Sequence, residues 1–99
     1  MKAKKSKLID ECEEAARMLR TLAHPQRLQI LCYLADTEIP VGKLEEKCQA
    51  SQSAISQFLS RMKSEGLVSS RREGSFVYYR IQDVKVKKLI QAMHKIFCP

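Results

Sequence analysis

Apolar residues recur every three or four positions along most of this chain, switch to every second position near residue 68, then return to the helical spacing. Between Leu8 and Leu22 the set Leu8, Cys12, Ala15, Leu19 and Leu22 advances in alternating steps of four and three. That spacing predicts a helix with a heptad-like seam, packed lengthwise on another helix of its own chain or of a second subunit. His24-Pro25 interrupts it. Pro25 suits the first position of a new helix, where a missing N–H costs nothing, with His24 as a helix cap or a structural hydrogen-bonder. Leu28, Leu31, Cys32, Leu34 and Ala35 form the predicted buried face of this second helix, leaving Gln26, Arg27 and Gln29 outside. A short third helix follows Pro40, with Val41, Leu44 and Cys48 inward.

The fourth helix is the stretch on which the rest of the chain converges. Ser51 is a good N-cap, and Ile55, Phe58, Leu59 and Met62 recur at i, i+3, i+4 and i+7, one apolar stripe for a core. The opposite face carries Gln52, Ser53, Ser56, Gln57, Ser60, Arg61 and Lys63. Short neutral donors and acceptors at the N-terminal end, followed by cations, suit a helix entering the DNA major groove, where Ser and Gln meet base edges and Arg meets phosphates. A Ser/Gln-rich solvated helix is the plain alternative on this segment alone. The preceding short helix and tight turn make the pair a helix-turn-helix.

Gly66 ends the fourth helix as a C′ glycine. From Leu67 the period is two: 68–72 and 76–81 read as strands joined by Glu73-Gly74-Ser75, a hairpin with Arg71 and Arg72 beside its tip. One of Tyr78 and Tyr79 is expected in the core and the other at the surface. Asp83 then caps a fifth helix whose apolar positions are Val86, Leu89, Ile90, Met93, Ile96 and Phe97; Lys85, Lys87 and Lys88 are assigned to solubility or DNA. The expected architecture is mostly α with a β-hairpin wing: four helices, two strands and a last helix, a winged helix-turn-helix dimerising through its first and last helices. Residues 1–7 are expected to be a flexible basic arm and 8–99 a single DNA-binding and dimerisation domain.

Charge sharpens the choice of partner. Eighteen Lys and Arg against eleven Asp and Glu give a net charge of +7 in 99 residues, which favours a polyanion such as nucleic acid or an anionic membrane surface. The longest apolar run, from Leu28 to Ala35, is too short to span a bilayer. Lys2, Lys4, Lys5 and Lys7 are followed by Asp10, Glu11, Glu13 and Glu14 instead of an apolar segment, so no signal peptide is expected and the cytoplasm is the expected compartment. Four cysteines there (Cys12, Cys32, Cys48, Cys98) argue for thiols, a metal or a redox role instead of a static disulfide framework.

The segments Leu22-Ala-His-Pro-Gln-Arg-Leu-Gln-Ile-Leu31, Val41-Gly-Lys-Leu44, Ser51-Gln-Ser-Ala-Ile-Ser56 with Leu59, Glu65-Gly-Leu-Val68, and Arg71-Arg-Glu-Gly74 leading to Val77-Tyr-Tyr-Arg-Ile81 resemble the arsenic-repressor (ArsR/SmtB) family of dimeric winged-helix repressors. Phe58 is a departure, standing where many members carry His. The resemblance implies a homodimer bound to an inverted-repeat operator, with Gln52, Ser53, Ser56, Gln57, Ser60 and Arg61 of the fourth helix and Arg71 and Arg72 of the wing at the DNA. Arsenical sensors of the family carry a cysteine cluster on the first helix of the helix-turn-helix, but Pro40, Gly42 and Glu45 occupy those places. Zinc sensors use Asp-x-His and His-x-x-His on the last helix; Asp83 remains, but Lys85, Ile96 and Pro99 replace the histidines. Neither familiar metal site is expected, and no cofactor.

Cys32 and Cys98 remain. The pair resembles that of the family's sulfide- and persulfide-responsive branch, which implies a repressor released when this dithiol is oxidised by reactive sulfur to a di- or polysulfide. A metal-responsive repressor using Cys32, His94 and Cys98 is the alternative within the class. From another class comes a small thiol oxidoreductase or sulfur carrier, although no Cys-x-x-Cys motif supports it. A non-specific basic nucleoid protein would be separated from a repressor by its lack of a fixed palindromic footprint. Cys48 reads as core and Cys12 as part of the seam.

Overall fold

Ser51 starts the central helix as its position suggests: its Oγ accepts from the Ala54 amide at 3.1 Å. In the computed structural model, which describes residues 2–98 and the side chains from Lys7 onward, the elements are α1 (Lys2–Leu22), α2 (Pro25–Tyr33), β1 (Ile39–Pro40), α3 (Val41–Lys47), α4 (Gln52–Ser64), β2 (Val68–Glu73), β3 (Phe76–Ile81) and α5 (Val84–Phe97). The caps follow the sequence. His24 Nδ1 accepts from the Gln26 amide at 3.2 Å, and Asp83 Oδ1 accepts from Lys85 and Val86. Gly66 sits at φ +81° and Gly74 at φ +63°, the left-handed region in which glycine alone is unstrained.

α2 ends at Tyr33, short of the Leu34 and Ala35 assigned to it, and two further features differ from expectation. α1 begins at Lys2, so the backbone of the stretch read as a basic arm continues the helix; Lys and Ala are good helix formers, and nothing there breaks it. The second difference is β1, absent from the sequence reading. Ile39 pairs with Tyr79 and Pro40 with Tyr78, giving an antiparallel sheet in the order β1-β3-β2. A two-residue strand carries no period to read, and Pro40 is tolerated because β1 is an edge.

The core gathers Ile30, Leu31, Leu34, Leu44, Ile55, Leu59, Met62, Val68, Val86 and Ile90, all under 2% exposed. Each such side chain contributes about 1.5–3 kcal/mol by burial. α4 therefore lies on a floor built from α2, α3, β2 and α5 and cannot roll without exposing Ile55, Leu59 and Met62. α1 contributes little to this floor. Leu22 is buried and Met18 partly so, whereas Leu8, Cys12, Ala15 and Leu19 are exposed. The extents of 55 × 29 × 21 Å and a radius of gyration of 15.3 Å reflect that projecting helix, since a compact chain of this length would measure about 13 Å. The seam predicted on α1 is thus not covered by this chain. Ile96 and Phe97 at the end of α5 are also bare, and Ile96 with Leu19 of α1, Leu28 of α2, and Leu89 and Met93 of α5 borders an apolar groove of about 420 Å³.

Candidate nucleic-acid interface

α4 presents Gln52, Ser53, Ser56, Gln57, Ser60 and Arg61 to solvent while its stripe is buried. Phe58 lies on the inner side and packs on the His24 ring, centroids 5.0 Å apart. Cys48, 4% exposed, anchors the turn between α3 and α4, and burial pushes its thiol pKa up. Its packing role is the one read from sequence.

The C-terminal end of α4 is held by an ion pair that the sequence reading missed. Arg27, expected outside, is buried. Its Nη1 donates to Glu65 Oε1 at 3.0 Å and to the Thr21 carbonyl at 3.1 Å, and its Nη2 donates to Glu65 Oε2 at 3.3 Å. One planar guanidinium thereby ties the end of α1, the start of α2 and the C-cap of α4. A signal was available: Arg27 lies at i relative to Ile30, Leu31 and Leu34 at i+3, i+4 and i+7, in register with the buried stripe. A cation there is buried only when paired.

The wing separates its two arginines. Arg71 donates from Nε and Nη2 to the Glu38 carboxylate, both at 2.8 Å, and from Nη1 to Glu73 at 2.7 Å, while its guanidinium lies 4.6 Å from the Tyr78 ring centroid. These hydrogen bonds hold the Glu38 carboxyl below its ordinary pKa and raise that of Arg71 further. Arg72 is exposed, and no ion pair among the described residues uses it. Arg71 is therefore a strut between the wing and the β1 approach, whereas Arg72, like the exposed Arg80 of β3, enters no ion pair among the described residues. Tyr78 and Tyr79 are both half-buried, Tyr79 against the core and Tyr78 beneath Arg71. Lys85, assigned to solubility or DNA, instead binds Glu14 of α1 at 2.8 Å, a pairing across elements that no local pattern reveals.

All four cysteines are free thiols. Cys32 is half-buried on α2, and Cys98, exposed, caps α5 with its amide donating to the His94 carbonyl at 2.7 Å. Burial first, and the charge of Cys98 second, push the Cys32 thiol above its ordinary pKa. The two thiols thus sit on helices that pack against each other, α2 and α5. Gln91 Nε2 reinforces that packing by donating to the Ala35 carbonyl and to Asp36, both at 3.2 Å. His94 does not join the pair: among the described residues, no three His, Cys, Asp or Glu side chains cluster as metal ligands. The Cys32, His94 and Cys98 alternative therefore has no assembled site here. Among the described residues, no helix is long and apolar enough to cross a membrane.

The family model described as bacterial regulatory protein, arsR family, matches residues 24–70, from the cap of α2 into β2. The transcriptional activator HlyU of Vibrio cholerae is 40% identical over 85 residues, covering 86% of this chain and 79% of that one. The chain belongs to the arsR family of bacterial regulatory proteins. The biofilm growth-associated repressor of Agrobacterium fabrum is 44% identical over 85 residues, 86% of this regulator and 73% of that protein. The crystal structure of HlyU from Vibrio vulnificus superposes with a TM-score of 0.89 at 39% identity, covering 99% and 100% of the two chains. The winged-helix expectation thus holds with one small strand added, and the regulator's relatives are DNA-binding transcriptional regulators, not enzymes.

Proposed function

We propose that this regulator is a homodimeric, cytoplasmic repressor that binds an inverted-repeat operator and is released when Cys32 and Cys98 are oxidised by reactive sulfur. The observation that carries the reading is the thiol pair itself, one half-buried on α2 and one exposed at the end of α5, the helix that packs on α2. The likeness to the persulfide-responsive branch of the family, to which HlyU and the biofilm repressor belong, supports it. The bare faces of α1 and α5 support a dimer, which two half-sites about one helical turn apart require. Gln52, Ser53, Ser56, Gln57, Ser60 and Arg61 would lie in the major groove, with Arg72 at a phosphate and Arg71 bracing the wing.

The chemistry balances without a metal. The accessible Cys98 thiolate attacks the outer sulfur of an organic persulfide, forming Cys98–S–SH and releasing the organic thiolate. Cys32, as thiolate, then attacks the inner sulfur, forming the disulfide and expelling hydrosulfide. Two cysteines lose two electrons, and the persulfide is reduced to a thiol and hydrogen sulfide. If Cys32 already carries a sulfur, its persulfide anion makes the same attack, giving a trisulfide and again hydrosulfide. Either bridge ties α2 to α5, and a bridge that shifts these helices alters the spacing of the two α4 helices.

The test is operator binding by fluorescence anisotropy, on a duplex selected by the reduced protein, before and after organic persulfide. Affinity should fall 5- to 150-fold, the usual range of coupling. Mass spectrometry should show an intramolecular Cys32–Cys98 bridge. Cys32→Ser and Cys98→Ser should bind DNA and no longer release it, while Cys12→Ser and Cys48→Ser should respond. A Cys98→Ser protein that still lets go would overturn the dithiol mechanism, and release by Zn²⁺ or Cu⁺ alone would put a metal in its place.

A further inference from the structure

A second charged feature adjoins α4, away from the wing. The end of α1, the α1–α2 turn and α4 enclose a polar cleft of about 850 Å³ whose lining includes Arg20, His24, Arg27, Gln57, Arg61 and Glu65. Three arginines face one carboxylate there. Glu65 is already committed to Arg27. Arg20 and Arg61 are exposed, and none of the ion pairs among the described residues uses either. His24 adds a neutral donor: with Nδ1 accepting from the Gln26 amide, the uncharged ring carries its proton on Nε2.

The position of this cleft relative to the base-reading face gives it a role. At 3.6 residues per turn, Ser53, Gln57 and Ser60 occupy the middle of the exposed face of α4. Arg61 lies on the edge towards α1 and α2. Lys63 lies roughly 160° around from it, on the edge towards the sheet, where its Nζ donates to Ser70 Oγ of β2 at 2.8 Å. A helix in the major groove, about 12 Å wide, has a sugar–phosphate ridge on either side. The wing edge can meet one ridge. The other must pass along the edge that carries Arg61, where the cleft opens.

We propose that this cleft is the seat of the second phosphodiester ridge, with Arg20 and Arg61 as its phosphate-binding cations and His24 Nε2–H as an auxiliary donor. The inference rests on the DNA-binding reading above and extends the contact surface to α1 and the cap of α2. Phosphate contacts fix orientation without reading sequence, so Arg20 sets how far α4 enters the groove while Gln57 and its neighbours choose the bases.

The experiment measures the salt dependence of binding by the reduced, full-length protein to a selected operator and to a random duplex. Each phosphate contact contributes about 0.9 to the slope of log K against log salt. Arg20→Gln should therefore lower the slope by about one unit per subunit and weaken both duplexes by the same factor, whereas Arg20→Lys should keep the slope. Gln57→Ala should instead narrow the ratio between the duplexes at an unchanged slope. Arg20 is exposed and enters no ion pair among the described residues, so thermal unfolding of Arg20→Gln should match that of the wild type. An Arg20→Gln protein with the wild-type slope would overturn the cleft assignment alone. A wild-type protein indifferent to duplex sequence would instead overturn the repressor reading beneath it. Inorganic phosphate displacing DNA far better than chloride at equal ionic strength, with the slope of Arg20→Gln unchanged, would make the cleft a small-anion site and equally overturn the assignment.

Discussion

Replacing Arg27 by methionine keeps a long apolar stem in the same space and deletes only the guanidinium. The loss is two charge-assisted bonds to Glu65, at 3.0 and 3.3 Å, and one to the Thr21 carbonyl at 3.1 Å. All three involve the guanidinium charge, and such bonds are worth about 1.5–3 kcal/mol, less where water can take the abandoned partner. The Arg27 side chain is 10% exposed but that of Glu65 is 39%, so water recovers part of the abandoned carboxylate and holds the ion-pair share near its lower bound. The expected destabilisation is about 2–3 kcal/mol, which at about 4–8 °C per kcal/mol lowers Tm by roughly 8–24 °C. Thermal unfolding followed by circular dichroism, at one fixed protein concentration because subunit association shifts Tm, measures it. A double-mutant cycle with Glu65→Gln should return a coupling of about 1.5 kcal/mol. Operator affinity should fall too, since α4 loses its tie to α1 and α2. A coupling near zero, or an Arg27→Met protein within about 0.5 kcal/mol of the wild type, would refute the claim that this pair holds α4.

Two other outcomes test the sensor and the assembly. Cys32, half-buried and with its pKa raised by burial and by Cys98, should be alkylated by iodoacetamide much more slowly than exposed Cys98 at pH 7.5. The gap should narrow as pH climbs past the ordinary thiol value of about 8.5. The stability that the raised pKa confers is fully present below that ordinary value and is lost as pH rises through the higher folded one. Equal labelling by mass spectrometry at pH 7.5 would remove Cys32 from its sheltered position. Glutamate at Leu19 or Met93, on the rim of the apolar groove, should yield a monomer by analytical ultracentrifugation and abolish tight operator binding; a tight-binding monomer would contradict the dimer.

Much of this was legible because local chemistry and tertiary structure agreed. Ser51, Asp83 and His24 cap helices since their side chains accept from amides two or three residues along, an interaction complete within a few residues of sequence. Gly66 and Gly74 were legible for the same reason. The inward stripe of α4 was readable because only one face of a helix can be buried against one floor, and Ile55, Leu59 and Met62 share it. That stripe, by elimination, also named the face available to DNA.

What escaped was whatever depends on a partner distant in sequence. Arg27 looked exposed because its charge argued for solvent, and only the arrival of Glu65, 38 residues later, makes its burial tolerable. Arg71 gave no sign of its ion pair until the fold brought Glu38 beside it, and Lys85 looked free until α1 offered Glu14. β1 exists because β3 provides an edge for Ile39 and Pro40, and its own two residues carry no strand signal. The sequence by itself determined the helices, their caps, the hairpin and the exposed face of α4, all matters of period and short-range hydrogen bonding. Only the tertiary structure decided which cations are spent inside the molecule and which remain for an anion, because an ion pair depends on distance in space and leaves no period along the chain.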